Sequence, residues 1–427
     1  MGKSIDVEVA IIGAGIAGIS AAYYLCEQNG KTSVLLIDKR QPMSYTSAQS
    51  GDNYRDWWPH PVMVEFSGFS IDLMEKIRRD TDNVFNMTDR GYVLATRRED
   101  IGDLVAGLHA DADIVSGRRH IAAAYPALAD DIRHVVHIRR AGDISGQQLG
   151  SFMLNRVRAA GGRRLAGEVV RIDYDRRFSL DVSTPDGNQR VHAEKLLVAA
   201  GPFAGKVSAM LGIELRIRNV FQQKIAFEDV LGSVPRDMPF TIDLDERTIE
   251  WTDGELEMLA EDPELEWLVR EMPGGTHCRP DGGVNGKWVK LGWAYNSASS
   301  EPQEDLANEP RLDPSFAEIV IRRASSLLPS LTPYVEKPPV RRSHYGGYYT
   351  MTDENWPLIG PLGPDGAFLV GALSGFGSMA ACAAGSICAT WMCGGQLPDY
   401  ARDLSLARYE NVELMSAITG EANRGLL

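Results

Sequence analysis

Apolar and polar positions alternate in blocks along the chain, and the first block already indicates a ligand. Residues 9–12 form a short apolar run directly before the sequence GAGIAG at positions 13–18, and Asp38 closes a second apolar run. This pattern predicts a strand, a glycine turn and a helix whose N-terminus faces phosphates, with an acid placed to bind a ribose 2′-OH. We therefore predict a dinucleotide site at the start of the chain.

The rest of the chain also predicts strands and helices in alternation, without repeats or low-complexity tracts. The predicted elements are helices at 62–79 and 143–160, a hairpin-like β segment at 85–96 around Arg90-Gly91, and strands at 169–172, 195–201, 220–227 and 288–293. The strands at 169–172 and 195–201 would extend the nucleotide-binding sheet. The last two strands lie in a β-rich segment from about residue 213 to 337.

An acidic stretch over residues 243–271 interrupts that β-rich segment. Its spacing predicts two short solvated helices separated near Pro263. Four leucines would face inward at i, i+3 spacing: Leu256, Leu259, Leu265 and Leu268. The alternative interpretation is a segment that binds a partner or covers a substrate.

Residues 367–393 carry no charge, which raises the question of a membrane span. A spanning helix needs about 20 continuous apolar residues. Gly371, Gly375 and Gly377 divide this stretch into a strand, a turn and a helix that is too short to cross a bilayer. We therefore predict buried core and no membrane span.

Composition narrows the class of protein further. The chain has 427 residues and a net charge of −14, which argues against nucleic acid or an anionic membrane as a partner. Its five cysteines include no CxxC pair and its few histidines are scattered, so we expect no metal site and a reduced, cytoplasmic protein. Asp6 and Glu8 precede the first apolar run, which is atypical of a secretory signal.

The chain resembles a known family at several places along nearly its whole length. The motifs are GAGIAG with Asp38, VAAGPFAG at 198–205, the Lys290-Leu291-Gly292 strand, and a C-terminal block that runs from YYTMTDENWPLIGPL to GALSGFGSM. Together they are similar to the D-amino-acid oxidase and sarcosine oxidase family of flavoproteins.

The resemblance implies an α/β fold with two domains. A discontinuous Rossmann-type FAD-binding domain would comprise residues 1–84, 146–212 and 338–427. A substrate domain with a mainly antiparallel sheet would comprise residues 85–145 and 213–337. The sequence does not predict an oligomeric state.

The same resemblance, together with the nucleotide motif, implies FAD as the cofactor. The residues expected to bind it are Gly13, Gly15, Ala17, Gly18, Asp38, Lys39, Arg40, Ser47, Ser50, Gly51, Val170, Ala200, Gly201, Gly375, Phe376, Gly377, Ser378 and Met379. The glycine turn at 375–377 would open a helix whose N-terminus stabilises the anionic reduced flavin. Covalent sarcosine oxidases have a flavin-linking cysteine where this chain has Gly347, so we expect noncovalent FAD.

Four residues are candidates for the chemistry. Lys290 matches the family's lysine that assists oxygen near the flavin, although an alternating strand could also turn it to solvent. Arg55 could bind a substrate carboxylate or form an ordinary surface salt bridge. Tyr349 and His277 match positions near the substrate, and each could instead be a satisfied, half-buried polar aromatic.

The function implied is an FAD-dependent oxidase that acts on the C–N bond of an amino acid or a secondary or N-methyl amine. The imine would be hydrolysed, and O2 would be reduced to hydrogen peroxide. The partners expected are therefore a small-molecule amine or amino acid and O2. The alternatives are a dehydrogenase with a different electron acceptor and a flavin-bearing subunit that needs a partner.

Overall fold

Two eight-stranded sheets organise the part of the chain that the computed structural model describes, residues 4–105, 108, 112–283, 285–304, 306 and 312–419. The strands are β1 (Ser4–Ile12), β2 (Val34–Asp38), β3 (Asn53–Arg55), β4 (Tyr92–Thr96), β5 (Asp113–Ser116), β6 (His134–Ile138), β7 (Ala141–Asp143), β8 (Arg163–Ala166), β9 (Glu168–Asp175), β10 (Arg177–Thr184), β11 (Gly187–Val198), β12 (Arg218–Glu228), β13 (Phe240–Asp243), β14 (Thr276–Asp281), β15 (Trp288–Gly292), β16 (Arg342–Met351), β17 (Leu358–Pro361) and β18 (Ala367–Gly371). The α-helices are α1 (Ile16–Glu27), α2 (Pro61–Asp80), α3 (Gly102–Val105), α4 (Arg118–Ala124), α5 (Gly146–Ala159), α6 (Ala204–Ala209), α7 (Asp253–Glu261), α8 (Phe316–Ser325), α9 (Pro333–Glu336), α10 (Gly377–Cys393) and α11 (Val412–Ile418).

The first sheet has the order β17-β18-β11-β1-β2-β8, and β9 and β10 extend it from β11. Strand β1 lies at its centre and runs parallel to both β11 and β2, so that Val9 pairs with Lys195 and with Val34. Strands covered on both faces tend to be continuously apolar, which is the pattern of residues 9–12 at the end of β1. The predicted α/β fold with a Rossmann-type sheet is confirmed. The strand predicted at 169–172 lies within β9, and the strand predicted at 195–201 is the end of β11, which stops at Val198.

Helix α10 explains why residues 367–393 carry no charge. It packs against α1 and α2, and a Cβ atom at Gly385 would lie only 2.3 Å from Ser20 Oγ of α1. Small side chains therefore allow the two helices to approach closely, and α10 is buried on nearly all sides. The predicted order of strand, turn and helix is confirmed as β18, a loop and α10.

Among the described residues, no helix combines the length and the apolar character that a membrane crossing requires.

The second sheet has the order β16-β12-β15-β14-β13-β4-β6-β5, with antiparallel neighbours except for the parallel pair β13 and β4. One face packs on α8 through side chains such as Ile225, Leu291 and Val320. The opposite face carries Lys224, His277, Arg279 and Lys290, because strand side chains alternate between the two faces. Strand β16 belongs to this sheet, although the predicted boundary at residue 338 assigned it to the FAD-binding part.

The hairpin predicted over residues 85–96 is wrong. Only β4 is a strand, and it pairs with β6 and β13 rather than with the residues before it. The preceding segment packs Phe85 into the core of the first sheet and donates a hydrogen bond from Gly91 N to Ala141 O. Tertiary contacts thus replace the local turn that the sequence around Arg90-Gly91 suggests.

The acidic stretch contains the two short helical segments that were predicted on either side of Pro263. Helix α7 begins with a capping box between Thr252 and Glu255, and a 3₁₀ turn, Glu266–Val269, follows. Leu268 is buried, and Leu259 and Leu265 pack against the core. Leu256 is 37% exposed, so the prediction that its side chain faces inward is wrong.

Candidate active site

The glycine turn between β1 and α1 is built so that only glycine fits at two positions. A Cβ atom at Gly13 would lie 2.2 Å from Ala199 O, and one at Gly18 would lie 2.1 Å from Gly13 O. Gly13 also has a φ of 112°, which side chains rarely adopt. The turn therefore holds the start of α1 tightly against β11, and its backbone N–H groups line an open groove.

Asp38 lies at the end of β2 beside this turn. Its carboxylate accepts hydrogen bonds from Ala14 N and Arg40 N, each at 2.8 Å. Ser47 Oγ accepts the N–H of Ile16 at 3.0 Å, which fixes the next loop against the helix N-terminus. These contacts order both sides of the groove.

A single cleft runs from the glycine turn to the end of β16 and has a volume of about 1510 Å³, including its open mouth. The predicted cofactor residues that line this cleft are Gly13, Gly15, Ala17, Asp38, Lys39, Arg40, Ser47, Ser50, Ala200, Gly201, Gly375, Gly377 and Ser378. Gly18, Gly51, Val170, Phe376 and Met379 lie behind or beside the lining. Lining residues that the sequence did not single out include Thr46, Glu168, Val169, Lys224, Ser374 and Glu304.

Val169 rather than Val170 faces the cleft. Strand β9 has a β-bulge here, because Val169 pairs with Val182 and Arg171 with Asp181, which leaves Val170 as the extra residue between them. Val169 is 5% exposed and lines the cleft, whereas the Val170 side chain is 53% exposed. The prediction of Val170 thus differs by one residue from what the side chains show.

The other end of the cleft meets the start of α10. Ser378 Oγ lies 2.9 Å from Ser50 Oγ and 3.0 Å from Asp52 Oδ1, which ties the helix to the loop before β3. Ala372 and Ser374, just before the helix, have φ angles of 53° and 45°, in the left-handed region that non-glycine residues avoid. Such strain is typical of functional loops.

Two hydroxyl groups in the cleft have no hydrogen-bond partner among the described residues. Thr46 Oγ1 and Ser374 Oγ are buried without a hydrogen-bond partner in the described part of the chain. Buried hydroxyls are nearly always bonded, so a ligand with polar atoms is indicated here. With the N-termini of α1 and α10 facing the same cleft, the donor set fits a ligand that has phosphates at one end and a polar ring at the other.

Above the cleft, the second sheet presents Lys224 from β12. This side chain is 8% exposed, lines the cleft, and places Nζ 3.3 Å from Tyr349 Oη and 5.3 Å from the centre of that ring. Tyr349 also lines the cleft, so the structure brings the predicted tyrosine to a lysine that the sequence analysis did not name.

Lys290 lies on the same face as Lys224 but outside the cleft lining. Its Nζ is 3.4 Å from Asp281 Oδ1 and its neighbour on β14 is Arg279. Burial, followed by repulsion from Arg279, lowers the pKa of Lys290. Arg279 in turn donates to Gly51 O at 2.9 Å, so this group ties the second sheet to the loop before β3.

His277 is buried beside this face and is a neutral acceptor. Its Nδ1 lies 2.9 Å from Gly275 O, and Gly292 leaves room for the ring because a Cβ there would lie 2.3 Å from Nε2. Burial lowers the pKa of His277 to about 3. With Nδ1 protonated and donating, Nε2 is left as a hydrogen-bond acceptor.

Arg55 ends β3 and is enclosed by aromatic rings. The side chain is 3% exposed, and its guanidinium carbon lies 4.9 Å from the Tyr92 ring centre and 5.3 Å from that of Trp58. Nη1 donates to Tyr92 Oη at 3.4 Å, but Nε and Nη2 are buried and find no hydrogen-bond partner among the described residues. The surface salt bridge considered as an alternative is therefore not what the structure shows.

The strand, glycine turn and helix, the acid at the end of β2 and the long polar cleft define a dinucleotide-binding enzyme of the Rossmann class. The comparison with protein families is more specific, because the family described as DAO, FAD dependent oxidoreductase, matches residues 8–391. The chain belongs to this family of FAD-dependent oxidoreductases. The prediction of FAD is confirmed.

Comparisons with individual proteins agree with the fold. The chain is 24% identical over 252 residues to mitochondrial dimethylglycine dehydrogenase from Homo sapiens, a match that covers 56% of this chain and 28% of that protein. It is 23% identical to the uncharacterized oxidoreductase YurR from Bacillus subtilis (strain 168), covering 54% and 65%. The matches thus span less than two thirds of the length of either relative.

Solved structures resemble the chain over nearly its whole length. L-proline dehydrogenase from P. horikoshii superimposes with a TM-score of 0.74 at 17% identity, covering 96% of this chain and 99% of that chain. Glycine oxidase from Geobacillus kaustophilus gives 0.72 at 17% identity, covering 95% and 99%. At such identity these matches establish the shared fold.

The close contact at Gly18 leads to a testable expectation. We expect Gly18→Ala to weaken FAD binding about 10- to 100-fold, because relieving a backbone contact costs on the order of 1–3 kcal/mol in strain. FAD affinity is measured by titrating the apoprotein and following flavin fluorescence. Gly254→Ala is the control, since no atom lies within 4 Å of its added Cβ. An unchanged affinity in Gly18→Ala would contradict the role of the tight turn.

Proposed function

We propose that this chain is an FAD-dependent oxidase that converts the C–N bond of an amino acid, or of a secondary or N-methyl amine, to an imine. In the balanced reaction the amine carbon gives up a hydride and the amine nitrogen gives up a proton, C–N becomes C=N, and O2 takes up these two electrons and two protons as hydrogen peroxide. Hydrolysis of the imine follows. The names of the relatives, a dimethylglycine dehydrogenase and a glycine oxidase, support a small amino-acid substrate.

Arg55 is the observation that carries this proposal. A buried cation needs an anionic partner, and the described residues leave Nε and Nη2 of Arg55 unpaired. A guanidinium fork matches a carboxylate with two parallel hydrogen bonds. Arg55 lies outside the cleft lining, and its backbone N lies 3.1 Å from Met379 Sδ, next to the lining residue Ser378. We therefore assign the α-carboxylate of the substrate to Arg55, with the rings of Trp58 and Tyr92 holding the guanidinium in place.

FAD, when bound, supplies the acceptor for the two electrons. The residues proposed to hold it are those that line the cleft from the glycine turn to the start of α10. The N-terminus of α10 is suited to stabilise negative charge that develops there during reduction. A glycine, Gly347, also lines the cleft, and we propose that the cofactor is bound noncovalently.

Lys224 is the cation that we place beside the reacting oxygen. The resemblance to the sarcosine oxidases suggested Lys290 for this task, but of these two lysines on the second sheet Lys224 lines the cleft and Lys290 does not. A fixed positive charge stabilises superoxide as it forms, which favours an oxidase over a dehydrogenase. Tyr349 holds the ammonium by its hydroxyl and its ring.

Two buried cations, Lys224 on β12 and Arg55 on β3, make a pH dependence testable. Lys224 and Arg55 disfavour a positively charged substrate, so we expect kcat/KM to rise with pH until the substrate amine is neutral. Since His277 keeps a pKa of about 3, it adds no inflection between about pH 5 and 8.

Two substrates whose amines differ in pKa provide the measurement for this prediction. The inflection of kcat/KM should move with the substrate and persist in His277→Asn. An inflection near pH 6.5 that disappears in His277→Asn would show that the imidazole titrates during catalysis.

The proposed function is tested by adding amino acids and N-methyl amines to the holoenzyme without oxygen. A substrate should bleach the flavin absorbance, and readmitted O2 should restore it with formation of hydrogen peroxide. Bleaching that is reversed only by an artificial acceptor would identify a dehydrogenase. A yellow protein that no amine reduces would favour a subunit that needs a partner.

A further inference from the structure

A short segment of the chain, residues 299–304, crosses from the second sheet to the first at the mouth of the cleft. It begins on β12, where Ser299 pairs with Val220 and Ser300 N donates to Asn219 O at 2.8 Å. It ends at Glu304, which lies beside Lys39 and Arg40, directly after β2. We call residues 299–304 the strap.

The end of the strap is held by an ion-pair network. Glu304 Oε2 lies 2.8 Å from Lys39 Nζ and 2.5 Å from Arg40 Nη2, and Arg40 also donates to Glu304 O at 2.7 Å. The Arg40 guanidinium packs against the adjacent rings of Tyr45 and Phe203, at 4.5 and 5.1 Å from their centres. Arg40 is therefore a stacked and oriented partner for Glu304.

Two tyrosines hold the middle of the strap. Tyr45 Oη donates to Gln303 O, while Gln303 N donates to Tyr348 Oη at 3.0 Å. Tyr348 Oη donates in turn to Glu301 O at 3.2 Å. The strap is thus held by hydrogen bonds to its backbone as well as by the Glu304 side chain. Because the bonds at Glu301 and Gln303 involve backbone atoms, they can form whichever side chains stand at those two positions.

Four residues that hold the middle and the end of the strap also line the cleft, as does Glu304 itself: Lys39, Arg40, Tyr45 and Tyr348. The held end lies beside Asp38, the acid predicted to bind the ribose, and away from Arg55, where we place the substrate. A ligand in this part of the cleft therefore has the strap at its exit.

We propose that the strap is a latch that retains bound FAD by joining the two sheets across the cleft. Glu304 is a positioning residue in this latch, and its carboxylate acts through Lys39 and Arg40. The latch concerns the release of FAD, so it does not depend on which amine is oxidised or on whether O2 is the acceptor. It also assigns Lys39 and Arg40 a task besides contact with the cofactor.

The test is the rate at which FAD leaves the holoenzyme, followed by the rise in fluorescence of released FAD after dilution. We expect Glu304→Gln to speed release about 3- to 10-fold, since exposed and half-exposed ion pairs contribute modestly. Tyr45→Phe, which removes only the hydroxyl, should speed release as well. Glu8→Gln, which breaks an ion pair with Lys31 elsewhere on the first sheet, should leave the rate unchanged.

Two further measurements separate the latch from a direct contact between Glu304 and FAD. Salt should accelerate FAD release from the wild-type enzyme and have little effect on Glu304→Gln, because the ions screen the Glu304 pairs. In a Lys39→Met, Arg40→Met background, Glu304→Gln should have no additional effect. Full additivity in that background, or release from Glu304→Gln and Tyr45→Phe within twofold of wild type, would overturn the latch.

Discussion

Replacing Arg55 with Met is expected to lower kcat/KM for amino-acid substrates about 10²- to 10³-fold. Removing one partner of a buried, hydrogen-bonded charge pair costs about 3–4 kcal/mol in binding or transition-state energy. Amines without a carboxylate should react with Arg55→Met about as well as with the wild-type enzyme, because they cannot use the guanidinium. Steady-state kinetics with a matched pair of substrates, one with and one without the carboxylate, provide the measurement.

The same substitution should raise the thermal stability of the ligand-free protein. Arg55 is a buried cation whose Nε and Nη2 have no partner in the described part of the chain, and Met fills a similar volume without that penalty. A merely structural role predicts the opposite, a less stable protein with equal losses for both substrates. Arg55→Lys is the second variant: it keeps the charge, lacks the fork, and should recover only part of the activity.

The second large effect is expected in the reaction with oxygen. Lys224→Met should slow reoxidation of the reduced enzyme by O2 about 10²- to 10³-fold, the effect typical of removing one preorganised electrostatic stabiliser. Anaerobic reduction by substrate should stay within a few-fold of wild type. Stopped-flow absorbance of the flavin, with substrate in one experiment and with O2 in the other, measures the two steps separately.

Lys290→Met is the matched control for this prediction. Lys224 pairs with Gly292 and Lys290 with Ala226, so the two lysines share a face of the sheet about 7 Å apart along the strands. Lys290 is bonded to Asp281 outside the cleft lining, and its removal should change reoxidation little. If Lys290→Met slows reoxidation and Lys224→Met does not, the role suggested by the sequence belongs to Lys290 after all.

The nucleotide-binding end of the site could be predicted from the sequence because its signals are local. The glycine turn, Asp38 and the residues just after it are set by short-range requirements on backbone conformation and close approach. The structure places most of them in one cleft, as their motif implies. The strand and helix at 367–393 were equally predictable, since three glycines and the absence of charge decide them locally.

The choice between Lys224 and Lys290 could not be made in the same way. Strand periodicity gives the face on which a side chain lies, and these lysines share a face. Which of the two lysines reaches the cleft depends on how the second sheet is placed against the loop before β3. That placement is set by contacts between residues far apart in the sequence. Glu304 was missed for a related reason, because its partners Lys39 and Arg40 are distant in the sequence.

Val170 and the region around Arg90 show where prediction from the sequence fails for single residues. A β-bulge at Val170 interrupts the alternation of side chains along β9, and the apolar pair Val169 and Val170 gives no local sign of which is inside. The residue types at Arg90-Gly91 are typical of a turn, but the segment before them packs Phe85 into the core and does not pair with β4.

The left-handed backbone at Ala372 and Ser374 has a consequence for laboratory evolution. Neither residue is suited to that conformation, whereas glycine adopts it freely. A screen that rewards only survival of heating would be drawn to glycine at these two positions. A screen that rewards catalytic turnover would keep Ala372 and Ser374 where their backbone strain shapes the loop. The two screens would therefore select different residues just before α10.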